Sequence, residues 1–193
     1  MKSCHRTFGP LVCIARSTDV DIAHLTETLR WNGRSITLRP IRPEDEAQHR
    51  EFLSHLDPED IRLRVFYSRR SIERSELARL TQIDYAREMA FIAEAARDDG
   101  HPETLGTVRT VSDPDNVDAE VAIIVRSDLK GHGLGQLLLD KMIRYARAQG
   151  TQRLVGTVLR ENTTMLQLAR DTGFMLEPEP EGDTVRICRR LDL

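Results

Sequence analysis

The run Ile123-Ile124-Val125-Arg126-Ser127-Asp128-Leu129-Lys130-Gly131-His132-Gly133-Leu134-Gly135-Gln136-Leu137-Leu138-Leu139 decides the architecture. It passes from a stretch apolar enough for a central strand, through glycines at every second position, into a helix. Such a turn presents several free backbone N–H groups at the positive end of a helix, a geometry that binds phosphate. Glycine also lets a pyrophosphate approach the main chain without a Cβ in the way. Two other phosphate motifs fail on inspection. A Walker loop requires Lys-Ser/Thr after its last glycine, and here Gln136 follows Gly135. A dinucleotide fingerprint requires GxGxxG spacing, and no glycine follows Gly135 at the required position. Taken alone, the run is equally well a tight turn before a helix.

Downstream, Gln136 to Ala148 is amphipathic, with Leu137, Leu138, Met142, Ile143 and Ala146 as its buried face and Gly150 beyond its end. Arg153 to Leu159 reads as a strand and Asn162 to Thr172 as a helix stopped by Gly173. After a charged turn with Pro178 and Pro180, a last strand lies near Thr184 to Leu191. Upstream, Ala119 to Val125 follows the turn at Asp113-Pro114-Asp115-Asn116. Before it, the strands Met89–Ala96 and Thr104–Val111 are joined by a hairpin turn at Asp98–Pro102. Ser35 to Arg39 alternates as a half-buried strand. Pro43 and Pro58, each followed by acids, open two helices, and Ser71 starts another piece running through Leu80. Residues 1–33 lack a clear period and read as an N-terminal tail or add-on segment, with a short helix between Asp19 and Trp31 carried by Ile22, Leu25 and Leu29. Residues 34–193 form the single domain. The order predicts a mixed α/β (α+β) layout with helices packed on a sheet.

The 193 residues have room for one core, and 39% hydrophobic with 31% charged residues is an ordinary globular composition. A net charge of -3 argues against a nucleic-acid binder. No apolar run has the length for a membrane span, and the apolar stretch after Lys2 is too brief and broken for a signal peptide. Cys4, Cys13 and Cys188 lack metal or disulfide spacing, so no metal is expected, and a reduced cytoplasmic setting fits best.

With its flanks, the glycine run resembles the acyl-CoA signature of the GNAT superfamily, Arg/Gln-x-x-Gly-x-Gly/Ala, with Lys130 where Arg or Gln is usual. Glu161-Asn162-Thr163-Thr164-Met165-Leu166 leading to Gly173-Phe174 resembles the family's second element. Ile36–Asp45 and Leu80–Phe91 look like the acetyltransferase domain of bacterial protein-lysine acetyltransferases. The resemblance covers roughly residues 35 to 191. It implies the GNAT acyl-CoA N-acyltransferase fold, a mixed, mostly antiparallel sheet flanked by helices, and acetyl-CoA as cosubstrate. Members of that group acetylate a lysine of AMP-forming acetyl-CoA synthetase. Many carry a large acyl-CoA synthetase-like region, which this chain lacks.

By the same resemblance, backbone atoms of Ile123, Ile124 and Val125 hold the acetyl-pantetheine arm. Backbone amides of Gly131, His132, Gly133, Leu134, Gly135 and Gln136 hold the pyrophosphate, and Asn162 meets the arm from the opposite wall. Attack on the thioester requires a neutral amine, and free lysine has a pKa near 10.4. A base must therefore take a proton. Glu120 is the candidate, with the plain alternative of a solvated strand-end glutamate. Glu94 and Glu161 are weaker candidates, Glu161 being better suited to cap the helix that follows. The tyrosine with which many family members protonate the leaving thiolate is replaced by Ala169, which leaves water as the acid or an unprotonated thiolate.

The side chain of His132 is expected to face solvent, and Cys188 to be a buried structural thiol. Arg62, Arg64, Arg69, Arg70 and Arg74 read as a solvated helix face, or as a patch for an acidic partner or the CoA 3′-phosphate. The favoured acceptor is a protein lysine. The rivals are a small-molecule amine acceptor and a non-catalytic acyl-CoA sensor, and a homodimer is left open.

Overall fold

A computed structural model describes residues 22–65, 80–179 and 182–191. The helical piece expected after Ser71 falls largely on residues 66–79, outside the described residues, as do Arg69, Arg70, Arg74, Cys4 and Cys13.

Eight strands form one sheet: β1 (Glu27–Trp31), β2 (Arg34–Pro40), β3 (Glu88–Ala96), β4 (Pro102–Ser112), β5 (Asp118–Val125), β6 (Arg153–Leu159), β7 (Met175–Pro178) and β8 (Thr184–Arg190). Their spatial order is β1-β2-β3-β4-β5-β6-β8-β7. Every neighbouring pair is antiparallel except β5 and β6, which run parallel. Four described helices flank the sheet: α1 (Glu46–Ser54), α2 (Pro58–Val65), α3 (Leu134–Ala148) and α4 (Thr163–Asp171). The α/β layout is the one expected from the chain's punctuation, and the mixed, mostly antiparallel sheet is the one implied by the GNAT resemblance.

The start of the chain differs from expectation. Among the described residues, the short helix expected between Asp19 and Trp31 is confined to a 3-10 turn at Ala23–Leu25, and Glu27–Trp31 is an edge strand. Leu25 and Leu29, four residues apart, satisfy a helical period and a strand period equally. The Asn32-Gly33 turn decides between them. Its φ values of +49° and +79° make it the type I′ turn that joins antiparallel strands. The boundary expected between residues 33 and 34 falls inside this turn, and β1 belongs to the same sheet as the rest. Another strand, β7, runs into the charged turn, and its four residues are too few to show a period in sequence.

The core lies where α3 covers the sheet. Leu134, Leu138, Leu139, Met142, Ile143 and Ala146 are buried against Phe91, Leu105, Val108 and Val121. The buried face is turned by one residue from the expected one, toward Leu139 and away from Leu137, which is only partly buried. Cys188 is buried in β8, as expected.

On β2 and β3, Arg39 is held by Asp45 at 2.7 and 2.8 Å and by Glu94 at 2.5 Å. Gln48 of α1 joins this network through Glu94 and Thr104. Glu94 therefore serves a structural ion pair and is withdrawn as a candidate base. Next to the network, His49 is only 3% exposed, and no protein partner meets its Nδ1. Burial, and secondarily the Arg109 charge, pushes its imidazole from 6.5 down to about 4. Between those pH values the unfolded chain takes up a proton that the folded chain does not, so stability falls as pH drops through this window. From pH 7 to 4.5, urea unfolding should show the native protein losing on the order of 2 kcal/mol more than a His49→Phe variant. Equal losses would show that His49 charges freely in the folded protein.

Candidate active site

The site follows from a fork in the sheet. β5 and β6 pair only through Asp118↔Arg153, Ala119↔Leu154 and Glu120↔Val155. Beyond Glu120 the two strands part. The opening is a cavity of about 730 Å³ between β5, β6, the N-terminus of α3 and the start of α4, closed on one side by α2.

The ladder determines what β5 offers to the cavity. Arg126 N–H donates to the Leu105 carbonyl at 2.9 Å, and the register continues as Ile124↔Thr107 and Ala122↔Arg109. These are the hydrogen-bonded pairs of an antiparallel ladder, so the backbone groups of Ile124 are turned to β4. Those of Ile123 and Val125 alternate to the open side. All three residues line the cavity, but only Ile123 and Val125 have main-chain groups free to pair with an extended ligand.

The glycine run follows directly. Gly131 and Gly133 have φ of +77° and +82°, and a Cβ at either would meet no protein atom within 4 Å. The run is thus an open backbone cradle whose bends require glycine. Gly133 is the N-cap of α3, and in this turn Leu137 N–H reaches the Gly133 carbonyl at 3.2 Å. The N–H groups before it have no partner within the helix and sit at its positive end. Gly131, Gly133, Leu134, Gly135 and Gln136 all line the cavity. The His132 side chain is exposed, as expected, and this residue does not border the cavity.

On the opposite wall, Asn162 caps α4. Its Oδ1 accepts from Met165 N–H at 3.1 Å, which leaves only the amide NH2 to face a ligand. Glu161 does not cap the helix; it is exposed and pairs with Arg62 at 2.8 Å. Ala169 is fully buried in the core and supplies no acid.

Two residues of α2 take roles that their place in the sequence does not show. Asp60 is buried and binds Ser127 Oγ and the Lys130 ammonium. Lys130, at the position usually held by Arg or Gln, thus ties α2 to the glycine loop. Arg64, expected on a solvated helix face, is half-buried and borders the cavity, where burial lowers the pKa of its guanidinium and Glu120 interacts with it electrostatically. Helical spacing identifies which residues share a face; it does not say what that face packs against. Arg62, which pairs with Glu59 and Glu161, does sit at the surface.

Glu120 is exposed and stands where β5 and β6 last pair. Val125 is five positions further on, roughly 17 Å along an extended strand, so Glu120 lies at the far end of the cavity from the cradle. The described lining contains two other carboxylates: Asp60, which is bound to Lys130, and Asp171, which accepts from Gln167.

The family model for the acetyltransferase (GNAT) family matches residues 55–174. The chain is 29% identical over 170 residues to acetyltransferase PA5475 of Pseudomonas aeruginosa, covering 88% of this chain and 90% of that protein. It is also 29% identical over 152 residues to acetyltransferase Pat of Mycolicibacterium smegmatis, covering 78% of this chain but only 44% of Pat. The crystal structure of the GNAT domain of S. lividans PAT superposes with a TM-score of 0.79 at 24% identity, covering 88% of this chain and 98% of that domain. The fork, the glycine cradle and these matches agree: the chain belongs to the GNAT family of acetyltransferases, with acetyl-CoA as its acyl donor.

Proposed function

We propose that this acetyltransferase modifies a lysine side chain of a cytoplasmic protein, with Glu120 as the general base. The observation that carries this reading is the place of Glu120, exposed at the fork and remote from the cradle. An amine on a macromolecule can reach that end without entering the cavity. The likeness to Pat supports a protein acceptor.

In this reading Gly131 to Gln136 hold the pyrophosphate, and the free main-chain groups of Ile123 and Val125 align the pantetheine arm as an added strand would. The Asn162 amide steadies the arm from α4. Glu120 takes a proton from the acceptor ammonium, directly or through water, and the neutral nitrogen attacks the thioester carbon. A main-chain N–H of β5 stabilises the developing oxyanion. The C–S bond then breaks, the nitrogen gives its second proton to water, and the thiolate leaves, protonated by water or not at all, since no tyrosine or cysteine occurs in the described lining.

The test is thiol release from acetyl-CoA in the presence of purified AMP-forming acetyl-CoA synthetase, followed by mass spectrometry of the acceptor. Acetylation confined to one lysine is the expected result. Thiol release with free amino acids but not with the protein would favour a second reading, a small amine whose carboxylate is held by Arg64. Binding of CoA without any release would indicate a sensor.

A further inference from the structure

Trp31 does not line the cavity, yet it is joined to the cradle. Its side chain is 6% exposed, and its indole N–H donates to the His132 carbonyl at 2.7 Å, across 101 residues of sequence. A buried indole N–H is a donor only and must find an acceptor. Here the acceptor is the middle carbonyl of the glycine run.

That contact determines which way one peptide faces. Among the described residues no peptide bond is cis, so the C=O of His132 and the N–H of Gly133 point in opposite directions. With the carbonyl drawn to Trp31, the Gly133 N–H points away from the indole, and Gly133 lines the cavity. Without the contact, little would hold this peptide. Gly133 tolerates either sign of φ, so a flip meets no steric barrier from a side chain. The flipped peptide would aim a carbonyl oxygen at an anion.

The strand that carries Trp31 is itself strapped to the helix behind the cradle. Trp31 ends β1 opposite Arg34, at the Asn32-Gly33 turn. At the other end of β1, Glu27 meets Arg144 at 2.6 Å and Lys141 at 3.4 Å, both on α3. The indole is therefore held in register with the helix whose N-terminus forms the cradle.

We propose that Trp31 is a positioning residue for the acyl donor, locking the His132–Gly133 peptide with its N–H presented to the diphosphate. This rests on the reading of Gly131 to Gln136 as the diphosphate cradle, and the test separates the two. Calorimetric Kd values are compared for CoA and for pantetheine, which lacks the diphosphate, in the native protein and in Trp31→Phe. The variant keeps a buried ring and removes the donor. The expected result is a CoA Kd raised about threefold to tenfold, the weight of one hydrogen bond, with the pantetheine Kd unchanged. Equal weakening of both ligands overturns the proposal, because Trp31 then only supports the fold. If the native protein binds pantetheine as tightly as CoA, the cradle reading fails and takes the proposal with it.

A second measurement needs no variant. Trp31 is the one tryptophan in the chain, so its indole N–H gives a single NMR resonance. That resonance should shift on addition of CoA and stay in place with pantetheine. An equal shift with both, or none with CoA, overturns the proposal.

Discussion

Replacing Glu120 with glutamine should lower kcat by about two to three orders of magnitude while the Kd for CoA stays within about twofold. The size follows from the acceptor. In the proposed reaction the acceptor is a lysine ammonium with a pKa near 10.4, neutral only to about one part in a thousand at pH 7.4, so losing the proposed base exposes that fraction directly. The binding term is small because Glu120 stands at the fork, roughly 17 Å along β5 from Val125 and the cradle beyond it. A sharper signature lies in the pH profile. Without the base, the rate should rise with unit slope from pH 7.5 to 9.5, recovering about a hundredfold as bulk solvent deprotonates the amine. Steady-state thiol release across that range, with acetyl-CoA saturating, provides the check. A variant as fast as the native protein at pH 7.5 would remove Glu120 from the mechanism.

The second large effect is expected at the cradle. Gly133→Val should weaken CoA binding by about a hundredfold and Gly133→Ala by about tenfold. The backbone there has φ of +82°, which costs an L-residue about 1–2 kcal/mol, and more when it is β-branched. A new Cβ would meet no protein atom within 4 Å, so no clash inside the fold adds to that cost. It would instead stand at a residue lining the cavity, where the proposed reading brings the diphosphate to the main chain. Pantetheine binding should therefore survive in both variants. Calorimetry with the two ligands checks this, and loss of pantetheine binding in Gly133→Ala would show that the damage reaches β5. Gly135 differs: its Cβ would meet Leu168 Cδ2 at 3.2 Å, so its substitution disturbs helix packing.

What the sequence determined by itself was whatever depends on neighbours along the chain. The strands β3 to β5, the glycine turn and the amphipathic α3 were legible because period and turn chemistry are local. For the same reason Glu120 was placed correctly at a strand start and Asn162 at a helix start. One further local signal lies in the chain. Asn32-Gly33 between alternating residues marks a hairpin, and it would have identified β1.

Only the tertiary structure decided the roles that depend on distant segments. Glu94 and Glu120 are both strand glutamates in sequence, but Arg39 takes the first and the fork exposes the second. Arg62 and Arg64 lie two residues apart on one helix; one reaches the surface and the other the cavity. Ile123 and Ile124 are alike until the ladder register assigns one to the cleft and the other to β4. Trp31 and Asp60 acquire their work only by touching the glycine loop from 101 and 70 residues away. Periodicity shows that a residue turns inward. What it meets there is determined by how strands and helices from separate parts of the chain come together to bury their apolar faces and satisfy their buried polar groups.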